Sequence, residues 1–126
     1  MSLRSRTISI TVNRKTGDVF DAILNLPPKM ATDAKKESDD SWSFTTDRGH
    51  AKLKFFTSKQ HGVLDYQYVD NEASWNVPMR VVSSGDSSEI VITLVKPENL
   101  SDQIFDKRMQ EMEQITQTMK QILEQS

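Results

Sequence analysis

The chain has 126 residues and a formal net charge of -2, which fits one domain with a single core and gives no electrostatic reason to expect nucleic acid or an anionic membrane surface as a partner. It contains no cysteine, so a disulfide framework, a zinc-thiolate site and a cysteine nucleophile are all excluded. No apolar run approaches the ~20 residues that span a bilayer and no signal peptide is visible, so we expect a cytoplasmic protein whose residues 1–126 form one domain.

A half-buried strand is predicted at the start of the chain. Residues 7–12 alternate strictly, with Ile8, Ile10 and Val12 on one face, and β-branched residues in this pattern favour a strand. Thr16 lies just before the next apolar residues, where a hydroxyl can accept a hydrogen bond from the first turn of a helix. We therefore expect Thr16 to cap a short helix.

The predicted short helix covers residues 19–24, where apolar residues recur at helical spacing. Pro27 and Pro28 are expected to end it, because proline lacks the amide hydrogen that a helix interior needs. Residues 29–34 are compatible with a second short helix. Residues 35–40 are polar and charged, a composition typical of a solvated loop.

Residues 42–95 carry strand signals, separated by glycine- and aspartate-containing turns, which predicts an antiparallel meander. Pro78 interrupts the segment 73–83, as expected for a bulge or an edge position. Alternation predicts three apolar strand faces, which carry Ala51, Leu53 and Phe55, then Leu64, Tyr66 and Tyr68, then Ile90, Ile92 and Leu94.

One long amphipathic helix of about 25 residues is predicted over 97–123. Its apolar stripe must be buried, and the sheet is the only surface large enough to cover it. This predicts an α+β fold in which a curved antiparallel sheet wraps around a long C-terminal helix, with one or two short helices after the first strand. The stripe consists of Leu100, Ile104, Phe105, Met109, Met112, Ile115, Met119, Ile122 and Leu123.

This order of elements resembles the helix-grip fold of the START-like superfamily, also called SRPBCC. Its members include birch-pollen-allergen-like proteins, polyketide cyclases/dehydrases and lipid-transfer domains. The strand at 8–12 followed by Val-Phe-Asp-Ala-Ile at 19–23 looks like the family's first strand and helix. The segment 75–82 and the hairpin at 85–89 look like its later strands and penultimate hairpin. The resemblance covers nearly the whole chain and implies a small apolar or amphipathic ligand between sheet and helix.

The candidate cavity residues are large amphipathic side chains on the strands and the methionines of the long helix. Tyr66 and Tyr68 stand out because a buried phenol needs a hydrogen-bond partner, which the polar end of a ligand can supply. The solvent face is the favoured position for Arg80; if it points inward, it requires a carboxylate such as Asp65 or Glu89, or an acidic ligand. The candidate set is Phe55, Tyr66, Tyr68, Trp75, Arg80, Met109, Met112 and Met119, with Trp42 and Phe44 as further strand aromatics.

Sequence motifs for catalysis and metal binding are absent. His50 and His61 are the only histidines, and neither has a second ligand at metal-binding spacing. There is no glycine-rich phosphate loop and no Gly-x-Ser-x-Gly motif. We therefore expect no metal, no cofactor and no catalytic residue.

Three function hypotheses stay open. The first is a non-catalytic domain that binds a small apolar or amphipathic ligand. The second is an enzyme of the polyketide cyclase or dehydratase type. The third is a module with a protein partner, similar to relatives that stimulate the ATPase of heat-shock chaperones. A cavity of several hundred Å³ favours the first, convergent ionisable groups in that cavity favour the second, and a filled core favours the third.

Overall fold

A computed structural model describes residues 4–125 of the chain. Eight strands and three helices make up the described chain. They are β1 (Ser5–Val12), α1 (Thr16–Leu24), α2 (Pro27–Met30), β2 (Lys35–Ser38), β3 (Ser41–Thr46), β4 (Gly49–Ser58), β5 (Val63–Val69), β6 (Ser74–Val77), β7 (Met79–Ser84), β8 (Ser87–Val95) and α3 (Asp102–Gln125), with a 3-10 turn at Lys59–His61.

The strands form a single antiparallel sheet in the order β1-β8-β7-β5-β4-β3-β2, and β6 pairs with β5 beside this path. The first strand pairs with the last, so that Ile10 lies opposite Ile90 and Ile8 opposite Ile92. The two short helices and α3 cover one face of the sheet, and the core lies between them. The α+β prediction, with a long C-terminal helix and short helices after the first strand, is confirmed.

Strand alternation determines which side chains enter the core. Ile90 and Ile92 are fully buried, and Leu64 on β5 is buried to the same extent. Their neighbours on the opposite face are more exposed, as the pattern along β8 shows. The predicted parity of the strands at 49–58, 63–69 and 87–95 is therefore confirmed.

Pro78 divides the predicted strand at 73–83 into two strands with different partners. β6 pairs with β5, whereas β7 pairs mainly with β8 and touches β5 through Val63 and Arg80. Proline has no amide hydrogen for the ladder, but its carbonyl still accepts a hydrogen bond from the amide of Thr93 at 3.0 Å. The predicted interruption is confirmed.

The long helix begins at Asp102, later than the bound of 97 that the sequence suggested. Ser101 precedes it as a cap, because its hydroxyl accepts a hydrogen bond from the amide of Ile104 at 3.2 Å. The predicted stripe is wrong at two positions: Ile104 and Ile115 are 38 % and 42 % exposed. Thr116 takes a buried position instead, and its hydroxyl donates to the carbonyl of Glu113 within the helix.

Two predictions for residues 13–40 are corrected, those for Thr16 and for the loop at 35–40. The residue before α1 is Lys15, and no side chain caps that helix, so Thr16 is its first residue rather than its cap. α1 ends at Leu24, before Pro27 and Pro28 as predicted, and the two prolines begin α2, because proline fits the first turn, where the amide would be unpaired in any case. The predicted loop at 35–40 contains β2, whose four residues are all exposed. Its polar sequence therefore carried no alternating pattern to reveal it.

Candidate functional site

A cavity of about 620 Å³ lies between the sheet, the two short helices and α3. Apolar side chains dominate its wall, and they come about equally from the core faces of β3 to β8 and from the helical segments. Of the predicted site residues, those that line the cavity are Phe55, Tyr66, Tyr68, Trp75, Met109, Met112 and Met119. Phe44 also lines it, whereas Trp42 is buried outside it.

Arg80 is the one predicted site residue that the structure places elsewhere. Met79 and Val81 on either side of it are buried, so alternation along β7 directs Arg80 to the solvent face. There its guanidinium forms an ion pair with Asp65 and donates to the carbonyl of Met79 at 3.1 Å. The inward orientation that would have made it a cavity residue is wrong.

The mouth of the cavity is marked by lining residues that are exposed to solvent. Met30 at the end of α2 is 38 % exposed and Ile115 on α3 is 42 % exposed. Asp47, in the turn between β3 and β4, is exposed as well. The cavity therefore opens between α2, this turn and the outward side of α3, and the exposure of Ile115 is explained by its place at the rim.

Tyr66 presents a polar group to an otherwise apolar wall. Its ring packs edge-on against Phe55 with 6.3 Å between ring centroids. Within residues 4–125 no side chain or backbone group forms a hydrogen bond with the Tyr66 hydroxyl. Burial raises the pKa of this phenol far above its ordinary value, with a smaller contribution from Tyr68. Tyr66 therefore stays protonated and can donate a hydrogen bond to a ligand.

Trp75 contributes its side chain to the cavity wall, but its indole N–H is buried and unpaired among the described residues. Its ring stacks on Phe105 with 6.2 Å between centroids, and the guanidinium of Arg108 lies 5.3 Å from the indole centroid. The Nε1 atom is closed off from solvent and has no hydrogen-bond partner in the described part of the chain. A buried donor of this kind is unfavourable unless it is satisfied.

Five charged side chains form a cluster beside Tyr68 and Trp75, which we call the charged cluster. Arg108 Nη2 lies 2.7 Å from Asp70 Oδ2, and Arg108 Nη1 lies 2.6 Å from Glu72 Oε1. Arg48 Nη2 contacts both carboxylate oxygens of Glu111 at 2.7 Å, and its Nε atom lies 3.5 Å from Glu72. The cluster joins the β3–β4 turn, the β5–β6 turn and α3.

The Arg108–Asp70 pair is the buried part of the charged cluster. The side chain of Asp70 is fully buried and that of Arg108 is 10 % exposed. Burial by itself would raise the pKa of Asp70, but the amides of Glu72 and Ala73 and the Arg108 guanidinium outweigh burial and hold the pKa below its ordinary value. The hydrogen bond from Arg48 lowers the pKa of Glu111 in the same way. Both carboxylates are therefore ionised at neutral pH.

The cavity residues that sequence reasoning missed include Arg48, Arg108 and Glu111. Arg108 and Glu111 each directly precede a methionine of the stripe, at the border between its apolar and polar sides. Their partners lie more than thirty residues away along the chain. No local pattern connects such residues, so only their position beside the stripe could have drawn attention to them.

Metal-binding and membrane-spanning features are not found in the described chain. Within residues 4–125 no group of three histidine, cysteine, aspartate or glutamate side chains could hold a metal ion. No helix in that range is long and apolar enough to cross a membrane.

Comparison by sequence gives no relative: the chain matches no protein-family model, and no curated protein matches it significantly. Comparison by structure gives many similar proteins. An uncharacterised protein from Bacillus thuringiensis aligns with a TM-score of 0.74 and 12 % identity over 98 % of this chain and 100 % of that one. A START superfamily protein from Mycobacterium smegmatis aligns with a TM-score of 0.71 and 10 % identity over 96 % of this chain and 97 % of that one.

An enzyme is among these structural neighbours. Norcoclaurine synthase from Thalictrum flavum, in complex with dopamine and hydroxybenzaldehyde, aligns with a TM-score of 0.70 and 13 % identity over 97 % of this chain and 87 % of that one. Identities this low establish architecture and leave activity open. Alignment over nearly the whole chain at these TM-scores shows that this chain has the helix-grip fold.

Proposed function

We propose that this protein binds a small apolar or amphipathic molecule in the cavity between the sheet and α3, without transforming it. The observation that carries the proposal is the cavity itself. Its volume of about 620 Å³ falls within the range of about 300–1,000 Å³ that is usual for small-molecule sites. Its wall is mostly apolar with a few polar groups, which is the usual composition of such sites.

The side of the cavity formed by α3 supports binding of more than one ligand shape. Met109, Met112 and Met119 line the cavity along this helix. Unbranched thioether side chains change rotamer at low strain, so they can pack against different apolar surfaces. The facing aromatic side chains lie on strands, and the hydrogen-bonded ladder holds their backbone in place.

The two alternatives receive less support. A filled core would have favoured a surface-interaction module. The cavity of about 620 Å³ removes that reason to prefer it. Ionisable groups do converge on the cavity, as catalysis would require, but Arg48, Arg108 and Glu111 are engaged in ion pairs. Acid–base chemistry needs groups that are available to the substrate, with pKa values far enough apart that one group holds a proton while the other accepts one. The arrangement therefore favours binding over catalysis.

Replacing Met112 by Trp tests the proposal. The wild-type protein should bind an uncharged fluorescent probe such as N-phenyl-1-naphthylamine, and Met112→Trp should abolish that binding because the indole occupies the cavity. The variant should keep its thermal stability, since the added bulk enters open space. In a close-packed core the same change would cost about 1–3 kcal/mol.

Ile104→Trp is the matched control, because it adds the same indole to α3 at an exposed position outside the cavity. This variant should bind the probe as the wild type does. A wild-type protein that binds no probe, together with a strongly destabilised Met112→Trp, would contradict the proposal and favour a surface-interaction role.

A further inference from the structure

The charges around the cavity are unequal in number. Two guanidinium groups line it, those of Arg48 and Arg108. Asp47 and Glu111 also line it, and Asp70 and Glu72 lie directly behind as partners of the two arginines. No lysine or histidine lines the cavity in the part of the chain that the structure describes. Four carboxylates thus face two cations, and a ligand entering here meets an excess of negative charge.

Both cations are already neutralised by protein carboxylates. Arg108 is held between Asp70 and Glu72 and is almost completely buried. Arg48 donates to both oxygens of Glu111 from one nitrogen, which leaves Glu111 in the place that a ligand carboxylate would need to occupy. An anion that enters an apolar cavity without a free counterion loses its hydration and gains no compensating contact.

The donor that remains free suits an uncharged acceptor. The indole N–H of Trp75, unpaired within residues 4–125, is closed off and out of reach of a ligand, whereas Tyr66 lines the cavity and its hydroxyl has no partner in that range. A neutral donor of this kind pairs well with a carbonyl, ether or hydroxyl oxygen. It offers much less to a carboxylate than a guanidinium would, because charge-assisted hydrogen bonds are roughly twice as strong as neutral ones.

We propose that the cavity selects uncharged ligands that carry a hydrogen-bond acceptor, and that Glu111 excludes carboxylate amphiphiles by occupying Arg48. This inference rests on the proposed function and specifies the chemical class of ligand for the same cavity. Tyr66 is the donor to the acceptor atom, and Glu111 is a specificity-determining residue. Replacing Glu111 by an uncharged residue frees Arg48 to bind a carboxylate.

A pair of ligands that differ only in the head group tests this assignment. Decanol and decanoate have the same chain length, and decanoate is ionised at pH 8. Each is titrated against the protein loaded with N-phenyl-1-naphthylamine, and displacement gives its affinity. Any apolar cavity prefers the alcohol to some extent. The decisive measurement is therefore the change in the affinity for decanoate when Glu111 is replaced.

Glu111→Gln should raise the affinity for decanoate about tenfold, the lower end of what one hydrogen bond to a charged group contributes, and leave decanol unchanged. Glu113→Gln is the matched control, because it removes the same charge from the same helix. Glu113 pairs with Arg6 outside the cavity. This variant should change neither affinity. Adding Arg48→Gln to Glu111→Gln should remove the gained affinity for decanoate.

Several outcomes would overturn the inference. One is a Glu111→Gln variant that unfolds like the wild type on heating yet gains no affinity for decanoate; another is an equal gain in Glu113→Gln. Glu111→Ala serves as a second variant with the same expectation if the glutamine variant does not fold. Binding of probe and decanol without the predicted change for decanoate would contradict this inference alone. Failure of the wild type to bind the probe and both ligands would contradict the proposed function as well.

Discussion

The Arg108–Asp70 pair permits a quantitative prediction about stability. Arg108→Met removes the guanidinium and leaves the fully buried carboxylate of Asp70 without its cation. Removing one partner of a buried ion pair costs about 3–5 kcal/mol. Asp70 keeps two backbone donors, the amides of Glu72 and Ala73 at 2.9 and 3.0 Å, so we expect the lower end, about 3 kcal/mol. A domain is stable by only about 5–15 kcal/mol, so the variant should be folded but clearly weakened.

Urea unfolding at neutral pH measures this loss. The cycle compares Arg108→Met, Asp70→Asn and the double variant. The double variant should lose about 1–3 kcal/mol less than the sum of the single variants, because it no longer contains an unpaired buried charge. Arg80→Met is the control, since its ion pair with Asp65 is exposed and such pairs contribute about 0–1 kcal/mol.

Two results would refute the reasoning. If Arg108→Met unfolds within about 0.5 kcal/mol of the wild type, a size usual for surface substitutions, the pair is not buried in solution. If the single losses add without coupling, Arg108 stabilises the fold through its packing on Trp75 rather than through Asp70.

Two further predictions concern the core and acid stability. Ile10→Asp and Ile92→Asp should prevent folding, because both side chains lie on the buried face and an unpaired buried carboxylate is costly. Ser9→Asp on the exposed face should melt near the wild-type temperature. Similar melting temperatures for all three variants would show that the predicted strand parity is wrong. Because the pKa of Asp70 is lowered in the folded state, its contribution is complete above its ordinary pKa of about 3.9 and is lost as the pH falls through the lowered value. The stability difference between the wild type and Asp70→Asn should therefore stay constant near neutrality and shrink below about pH 4, and a constant difference down to pH 2 would contradict this assignment.

Much of the fold was predictable because burial on one face imposes a period on the sequence. Ile90 and Ile92 on β8 and Leu64 on β5 belong to alternating apolar patterns, and all three side chains are buried. Alternation does not predict a strand whose two faces are both exposed to solvent, as in β2. Helical spacing does not predict burial where a helix lies at the mouth of a cavity. Ile115 has the spacing of a core residue but lies at the rim, because the cavity leaves that position uncovered.

The candidate site was predictable only in its apolar part. Tyr66 and Met112 lie on elements whose buried face the sequence already defines, so their convergence follows from the fold. The charged cluster does not follow, because Arg48 and Glu111 come from distant segments whose polar character predicts solvent exposure. Only the antiparallel pairing of the sheet with α3 above it brings such side chains together.

The position of β2 has a consequence for aggregation. It lies at the outer end of the sheet, so one side of its backbone has no strand beside it, and such an edge can pair with the edge of another molecule. Two features oppose this pairing. Lys35 and Lys36 place positive charges on the strand, and its register with β3 shifts between Lys36 and Ser38. Two copies that approached edge to edge would bring these lysines close together along a strand that is not straight, so the edge formed by β2 resists growth into fibres.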